Sequence, residues 1–313
     1  MTSSFDWDTF YSASLVSSGL ADPDEFPSVP DEPGPDQRWS TWPQTAHTMD
    51  RGPQPFPDWV VQHDGAIDTE LGVLKTGKEA DAFLLERALP EHRRTGAPGE
   101  RALYVAKRYR SEKHSSFHRT AQYTEGRRVK DSREARAIAK GTTFGREAAA
   151  DRWARAEFDV LTRLSAAGLP VPYPVQVQGT ELLMEFVGTE HATEGTPGTP
   201  TAGARLHEAR PEPDLADRWA AQLRRVVVTL GEELGLVHGD LSPYNVLVDP
   251  RSGGQDLVVI DVPQVLDLVA NPHGEEFLRR DCRNVCTWLG AHGADPRLVD
   301  AEEWVTAALP RAR

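Results

Sequence analysis

The sequence predicts an α+β fold with two lobes, an N-lobe built on an antiparallel sheet and a mostly helical C-lobe. In the first half, the expected elements follow in the order strand, strand, strand, helix, strand, strand, which is typical of a curled antiparallel sheet with one packed helix. In the second half, most segments between loops have helical periodicity. The 313 residues can bury a large core without disulfides, and we divide them into an N-lobe over residues 61–187 and a C-lobe over residues 188–313.

Residues 1–60 are expected to form an acidic, proline-rich arm that is largely disordered. The first 70 residues contain two cations, Arg38 and Arg51, against thirteen acidic residues. Nine prolines between residues 23 and 57 interrupt any helix or central strand. Its aromatic residues have two interpretations, docking on the folded domain or on a partner and, as the preferred one, local clustering without a function: Trp39, Trp42, Phe56 and Trp59.

The N-lobe elements follow from short apolar runs between turns. Strands are expected over residues 71–74, 80–85, 103–109, 175–177 and 181–187. A helix is expected over residues 147–166, with Trp153, Phe158 and Leu161 at helical spacing and Gly168 ending it.

A basic insert over residues 110–146 interrupts the N-lobe. From Lys107 to Arg146 the chain has twelve cations and four acidic residues. Such a surface attracts phosphate, either of RNA or of a nucleotide. A solvated helical face, or a surface that holds the acidic arm, explains the charge equally well.

The C-lobe is expected to begin with a loop rich in Gly, Pro and Thr over residues 194–203 and a helix over residues 214–234. Helices over residues 275–289 and 301–309 close the chain. Cys282 and Cys286 are four apart in the first of these, which indicates buried thiols on one face rather than a metal site.

The composition excludes a membrane-spanning protein and a disulfide-stapled scaffold. No run of about 18 apolar residues occurs, so no segment is expected to cross a membrane. The first residues lack the basic and apolar parts of a secretory signal, and the sequence therefore predicts a cytoplasmic protein.

The loop over residues 235–249 and the strand after it contain the strongest chemical pattern. Asp240 and Asn245 lie five residues apart, so the acid can face a hydroxyl group or water while the amide binds a divalent cation. The apolar run 257–260 ends in Asp261, which is well placed as a Mg²⁺ ligand. In this order and at this spacing, the three residues predict phosphoryl transfer.

Residues of the N-lobe fit the same chemistry. Lys107 ends a strand and is expected to contact nucleotide phosphates if an acid of the following helix holds it. Glu157 is the candidate for that acid, and Glu147 and Asp159 are the alternatives.

Two further segments are candidate nucleotide contacts. The turn containing Thr76 and Lys78 is expected to cover the phosphates, although the glycine triplet typical of protein kinases is missing. Met184, Glu185 and Phe186 end a strand and suit a hinge that contacts adenine, and ordinary core burial explains Met184 and Phe186 equally well.

Taken together, five motifs closely resemble the RIO family of atypical protein kinases. They are TGKEA (76–80), VAK (105–107), LLMEF (182–186), HGDLSPYN (238–245) and IDVPQ (260–264). The resemblance runs from about residue 68 to residue 288. The basic insert looks like the branch of the family that is common in bacteria.

The resemblance implies a trimmed, two-lobed protein-kinase-like fold that binds ATP and Mg²⁺, with Mn²⁺ as another possible metal. By the family pattern, Asp240 is the catalytic acid, Asn245 and Asp261 bind metal, and Lys107 contacts phosphate. Family members act in maturation of the small ribosomal subunit, some as ATPases that pass phosphate through the metal-binding Asp. If this applies here, Asp261 is transiently phosphorylated.

The C-terminal segment supports the trimmed fold. Only 52 residues follow Asp261, too few for a long activation segment and the full set of substrate-binding helices. We expect Asp281 to hold the catalytic loop, from its position alone. Pro243 stands where an acidic residue is often found in the family, which puts the choice of substrate in doubt but no phosphate or metal ligand.

The leading hypothesis is an ATP-dependent serine/threonine kinase or ATPase that acts on a protein or on itself. One alternative keeps the fold but makes the chain a small-molecule phosphotransferase of the aminoglycoside or choline kinase type, since these enzymes share the acid, amide and strand-end acid. The other alternative is a nucleotide-gated binding module whose basic insert contacts RNA or the ribosome.

Overall fold

The computed structural model describes residues 32–46, 48–110, 143–193, 196–262 and 264–310. The predicted basic insert lies outside the described residues, apart from Arg110 and the start of the following helix. The first half of the predicted acidic arm also lies outside them.

The N-lobe is an antiparallel sheet with one long helix, as the sequence predicted, but it has six strands rather than the five expected, because residues 37–39 add one. In chain order the strands are β1 (Gln37–Trp39), β2 (Ile67–Thr76), β3 (Ala80–Ala88), β4 (Arg101–Tyr109), β5 (Pro174–Gln178) and β6 (Glu181–Glu185). They pair in the order β1-β2-β3-β4-β6-β5. The helix α1 (Thr143–Ala166) lies between β4 and β5 in the chain and contacts β4, β5 and β6.

Alternation along the strands gives the sheet two different faces. On one face, Phe158 and Leu161 of α1 are buried with Leu182 and Met184 of β6. We call this the inner face. The side chain of Lys107 in β4 projects from it, because Lys107 pairs with Leu182. On the opposite, outer face lie Tyr104, Ala106 and other side chains that form a second apolar cluster.

Residues 32–60 differ from the expected disordered arm wherever the structure describes them. Trp42 is 2% exposed and lies edge-on to Phe56, with 5.3 Å between the ring centroids. The guanidinium of Arg51 stacks 3.9 Å above the Trp42 ring, and Val60 is also buried. The prolines limit regular structure here to short elements such as β1, but an irregular chain can still cover an apolar sheet face with its aromatic side chains. Trp42, Phe56 and Trp59 are therefore part of the outer apolar cluster, whereas Trp39 is 40% exposed.

The C-lobe is mostly helical, with short two-stranded pairs between the helices. Its helices are α2 (Pro213–Val228), α3 (Gly274–Ala291) and α4 (Ala301–Ala308), and its strands are β7 (Gly188–Thr193), β8 (Thr196–Ala202), β9 (Leu236–Val237), β10 (Val246–Asp249), β11 (Asp256–Val259) and β12 (Leu266–Asp267). The segment expected as a loop over residues 194–203 instead contributes β8, because backbone pairing with β7 satisfies its polar groups.

Helices α2, α3 and α4 pack on one another around Trp219, Val285 and Trp304. Cys282 and Cys286 are free and buried in this core, and burial raises the pKa of the Cys286 thiol to about 12. No helix among the described residues combines the length and the apolar composition that a bilayer crossing requires.

Candidate active site

Lys107 is held by an acid of α1. Its Nζ lies 2.7 Å from Glu157 Oε1, and Glu157 is 2% exposed. The hydroxyl of Tyr109, two residues further along the inner face of β4, donates to the other carboxylate oxygen of Glu157. Burial lowers the pKa of Lys107, but the charges of Glu157 and Asp261 outweigh burial and raise it above its ordinary value. Lys107 is therefore a fixed cation.

Glu157 occupies this position because it lies on the face of α1 that packs against the sheet. Asp159, one of the alternatives, lies two residues further along the helix and is exposed. The side chain of Glu147, the other alternative, lies outside the described residues.

The side chain of Asp261, from the C-lobe, contacts the same lysine. Its Oδ1 lies 3.3 Å from Lys107 Nζ. Asp261 is the only non-glycine residue with positive φ in the described part of the chain, at 66°. Burial raises the pKa of Asp261, but the charges of Lys107 and Lys75 outweigh burial. This carboxyl group therefore has a pKa below its ordinary value. It is ionised at neutral pH.

The loop between β9 and β10 contains Asp240 and Asn245. Asn245 Nδ2 donates to the backbone oxygen of Asp240 at 2.9 Å and to Asp240 Oδ2 at 3.1 Å. The backbone oxygen of Asn245 accepts from Ile260 N at 2.9 Å, which ties the loop to the residue before Asp261. His238 adds a second link, since its Nε2 lies 3.3 Å from the backbone oxygen of Ile260.

Asp281 of α3 holds this loop through hydrogen bonds to its backbone. Its two carboxylate oxygens accept hydrogen bonds from Gly239 N at 2.7 Å and Leu241 N at 3.1 Å. Asn284 donates to the backbone oxygen of Leu241, 3.2 Å away. Burial raises the pKa of Asp281 to about 7. The geometry agrees with the role expected from its position.

The side chains of Asn245 and Asp261 fit a magnesium ion. Asn245 donates through its nitrogen, so its side-chain oxygen is left without a hydrogen bond among the described residues. Asp261 uses only Oδ1 toward Lys107, which leaves Oδ2 available. Carboxylate and amide oxygens are ligands that Mg²⁺ prefers, and it completes its shell with phosphate and water oxygens.

Thr76 and Lys78, the predicted phosphate contacts, lie at the turn between β2 and β3. Gly77 N donates to Ala80 O at 3.0 Å and closes the turn. Thr76 pairs with Asp81 in the strand register, and its hydroxyl bonds the Asp81 carboxylate on the outer face. Lys78 is exposed in the turn. Among the described residues, neither side chain forms a hydrogen bond or an ion pair with Lys107 or Asp261.

The side chains of the predicted hinge lie on both faces of the sheet. Glu185 pairs with Tyr104, so its side chain lies on the outer face, where it binds Arg251 at 2.5 Å and accepts from Tyr173 N. Phe186 is buried. Met184 pairs with Val105 and is the hinge residue on the inner face. Of the predicted hinge residues, Met184 therefore lies on the face that carries Lys107, whereas the Glu185 side chain lies on the other face and its backbone N donates to Tyr173 O at 2.9 Å.

The structure thus brings together Lys107, Glu157, Asp240, Asn245 and Asp261, which we call the active-site cluster. Sequence reasoning missed Tyr109 and Lys75. Strand alternation predicts Tyr109, because it places residues 107 and 109 on one face. A sheet lysine held by a helix acid, beside an acid and amide loop and a strand-end acid, defines a phosphotransferase of the protein-kinase class.

Comparison with known proteins places the chain within this class. The family model described as the RIO domain matches residues 99–303. The RIO-type serine/threonine-protein kinase Rio1 of Haloferax volcanii is 35% identical over 243 residues, which cover 78% of this chain and 71% of the archaeal protein. The chain belongs to the RIO family of atypical protein kinases.

Other relatives are longer than this chain. The serine/threonine-protein kinase RIO3 of Caenorhabditis elegans is 28% identical over 234 residues, and the match covers 74% of this chain but 38% of the nematode protein. A crystal structure of the Rio2 kinase from Chaetomium thermophilum, an ADP/Mg²⁺-phosphoaspartate complex, gives a TM-score of 0.45 at 17% identity and covers 76% of this chain and 62% of that protein.

These findings confirm the predicted family, the two-lobed fold class and the assignment to serine/threonine-kinase-type phosphotransferases. They do not distinguish the branches of the family, and the roles of single site residues stay predictions.

Proposed function

We propose that the chain transfers the γ-phosphoryl group of ATP to a Ser or Thr hydroxyl of a protein, or of itself, in a reaction that requires Mg²⁺. The observation that supports this proposal most is the position of Lys107 between Glu157 at 2.7 Å and Asp261 at 3.3 Å. The three residues come from a strand and a helix of the N-lobe and from the C-lobe. A cation fixed in this way suits the α- and β-phosphates of a nucleotide between the lobes.

The other members of the cluster have separate roles in the proposal. Asp240 accepts the proton of the acceptor hydroxyl while the oxygen of that hydroxyl bonds to the γ-phosphorus and ADP leaves. Asn245 and Asp261 would hold Mg²⁺, or Mn²⁺ in its place. When bound, the metal neutralises charge on the phosphates.

A variant of the same reaction would end on water. An Asp261 carboxylate oxygen bonds to the γ-phosphorus, ADP leaves, and water then hydrolyses the acyl phosphate to inorganic phosphate. The exposed fraction of the Asp261 side chain, 40%, is compatible with such an attack.

The test uses γ-labelled ATP with Mg²⁺ on the purified chain and on Asp261→Asn. Label on Ser or Thr is stable in acid and is expected to disappear in the variant. Acyl phosphate is labile in alkali, and together with released phosphate it would favour the ATPase reaction instead. The absence of both label and turnover would contradict both reactions and would point to a small-molecule acceptor.

Asp240→Asn tests the role of the proposed base. We expect this variant to bind ATP as the parent chain does and to transfer phosphate about 100-fold more slowly, because the carboxylate that orients the hydroxyl is lost. Lys107→Ala is the contrasting variant and should lose nucleotide chemistry altogether. Transfer at the parent rate in Asp240→Asn would remove Asp240 from the mechanism.

We also propose a cytoplasmic protein of the bacterial branch whose basic insert contacts RNA or the ribosome. The support is the excess of cations from Lys107 to Arg146. Neutralising Arg127, Arg128 and Lys130 should abolish a salt-sensitive affinity for RNA, measured by filter binding. Absence of RNA binding by the parent chain at low salt would contradict this role.

A further inference from the structure

Strand register places a second lysine on the face of the sheet that carries the active-site cluster. Lys75 of β2 pairs with Ala82 of β3, and Ala82 pairs with Lys107 of β4. Residues paired in this way across adjacent strands project from the same face. Because neighbouring strands lie about 4.8 Å apart, the two lysines begin about 10 Å from each other in one row.

A β-bulge gives Lys75 this orientation. Val73 pairs with Phe83, whereas Lys75 pairs with Ala82, so two steps along β2 correspond to one step along β3. Without the bulge, Val73 and Lys75 would share the outer face. A bulge of this kind redirects a side chain and is common next to active sites.

The next residue of β2 faces away from the cluster. Thr76 pairs with Asp81, and Asp81 forms an ion pair with Arg110 at 2.5 Å on the outer face. The turn beyond Thr76 is closed by its own backbone hydrogen bond. The cation that β2 directs toward the cluster is therefore Lys75.

Lys75 is exposed and has neither a hydrogen bond nor an ion pair with the described part of the protein. Its strand register places it on the face of the sheet from which Lys107 reaches Asp261. Arg108 of β4, on the outer face, is by contrast paired with Glu181 at 2.7 Å. Lys75 is a cation directed at the cluster and available to an anion.

We propose that Lys75 binds the polyphosphate of the nucleotide from β2, while Lys107 binds it from β4. The inference rests on the proposed function and adds a phosphate-binding residue to it. On this proposal, the residue of the β2–β3 hairpin that binds phosphate is Lys75 of the bulged strand, in place of the side chains of Thr76 and Lys78.

Isothermal titration with Mg-ATP, Mg-ADP and adenosine tests the inference on the full chain. Lys75→Met should weaken the affinity for both nucleotides about tenfold or more, since a hydrogen bond to a charged group is lost. The affinity for adenosine should not change, because adenosine has no phosphate. Lys75→Arg keeps the cation and should restore most of the nucleotide affinity.

Arg297→Met is the matched control. The Arg297 side chain is 89% exposed and pairs locally with Asp295, so the variant loses the same charge far from the cluster. It should bind nucleotides as the parent chain does. Because both substituted side chains are exposed, both variants should fold, which thermal melting checks.

The possible failures are distinguishable. Parent-like affinity of Lys75→Met for Mg-ATP would overturn the role of Lys75 and leave the proposed function intact. An equal loss of affinity for adenosine would also overturn it, since the effect would then not concern phosphate. A parent chain that binds no nucleotide would refute the proposed function itself, and the role of Lys75 with it.

Discussion

Asp261 shows how much a single residue is constrained in this site. A left-handed backbone costs a residue with a side chain about 1–2 kcal/mol, and Asp tolerates it better than most. The strand β11 and the bond from Ile260 N to Asn245 O hold the chain on the approach to this position. Strained residues that persist in this way are concentrated at functional sites.

His238 lies two residues before Asp240 and has a single protonation state that suits its contacts. Its Nε2 can donate to the oxygen of Ile260, while its Nδ1 accepts from Asp240 N at 3.3 Å. Acceptance at Nδ1 requires the neutral ring, because both nitrogens of a charged imidazole are donors. Burial lowers the pKa of His238 below 6.5, although the Ile260 carbonyl and the charges of Asp240 and Asp261 oppose this.

We therefore expect acid to destabilise the fold through His238. Because the pKa is lower in the folded chain than in the unfolded one, this contribution is fully present above pH 6.5 and is lost as the pH falls from there toward the depressed pKa. Urea unfolding between about pH 8 and pH 5 measures the effect. His238→Gln is the control, and an identical pH dependence in this variant would contradict the assignment.

At the scale of elements, the end of α2 is shaped by its contact with α4. After Val228 the helix continues as a wider π-helical turn over Thr229–Glu233. A Cβ atom placed on Gly231 would lie 2.2 Å from the backbone oxygen of Ala308. The glycine therefore allows the backbones of the two helices to touch.

Gly231→Ala should lower the free energy of unfolding by about 1–3 kcal/mol, because the new methyl group has to push α4 away. Gly290→Ala in α3 is the matched control. Its Cβ would meet Val299 at 3.6 Å, an ordinary contact, and alanine in a helix favours folding by about 0.5–1 kcal/mol. Chemical denaturation of both variants checks the contrast, and equal stabilities would count against the close approach.

At the scale of the whole molecule, residues 32–60 add a layer to the N-lobe. They cover the outer face of the sheet, while α1 and the active-site cluster occupy the inner face. The layer also contacts α1, because Asp50 forms an ion pair with Arg155. Arg155 lies in α1, two residues before Glu157. Backbone hydrogen bonds to β5, such as Gly52 N to Val175 O at 3.0 Å, continue the attachment.

Trp42→Ala should lower the free energy of unfolding by about 3–5 kcal/mol, since it empties a buried aromatic site. Trp39→Ala is the comparison, because Trp39 is 40% exposed and its loss removes less buried area. Thermal and urea unfolding distinguish the two. A loss of stability no larger for Trp42 than for Trp39 would mean that this layer is not part of the core.

The sequence by itself predicted five strands and the long helix of the N-lobe in their order, the family and the residues that form the active-site cluster. These follow from local information: apolar periodicity predicts helices and strands, and the spacing of Asp240, Asn245 and Asp261 reflects one loop and one strand. Glu157 was the preferred one of three acids on a helix that has to pack against the sheet.

Only the tertiary structure decided which way several side chains face and what covers the sheet. A bulge in β2 reverses strand alternation and directs Lys75, rather than Thr76, toward the cluster. Pairing with Tyr104 places Glu185 on the outer face, and an apolar sheet surface orders a proline-rich segment around Trp42. Each outcome depends on a partner distant in the chain, and no local pattern of residues contains that partner.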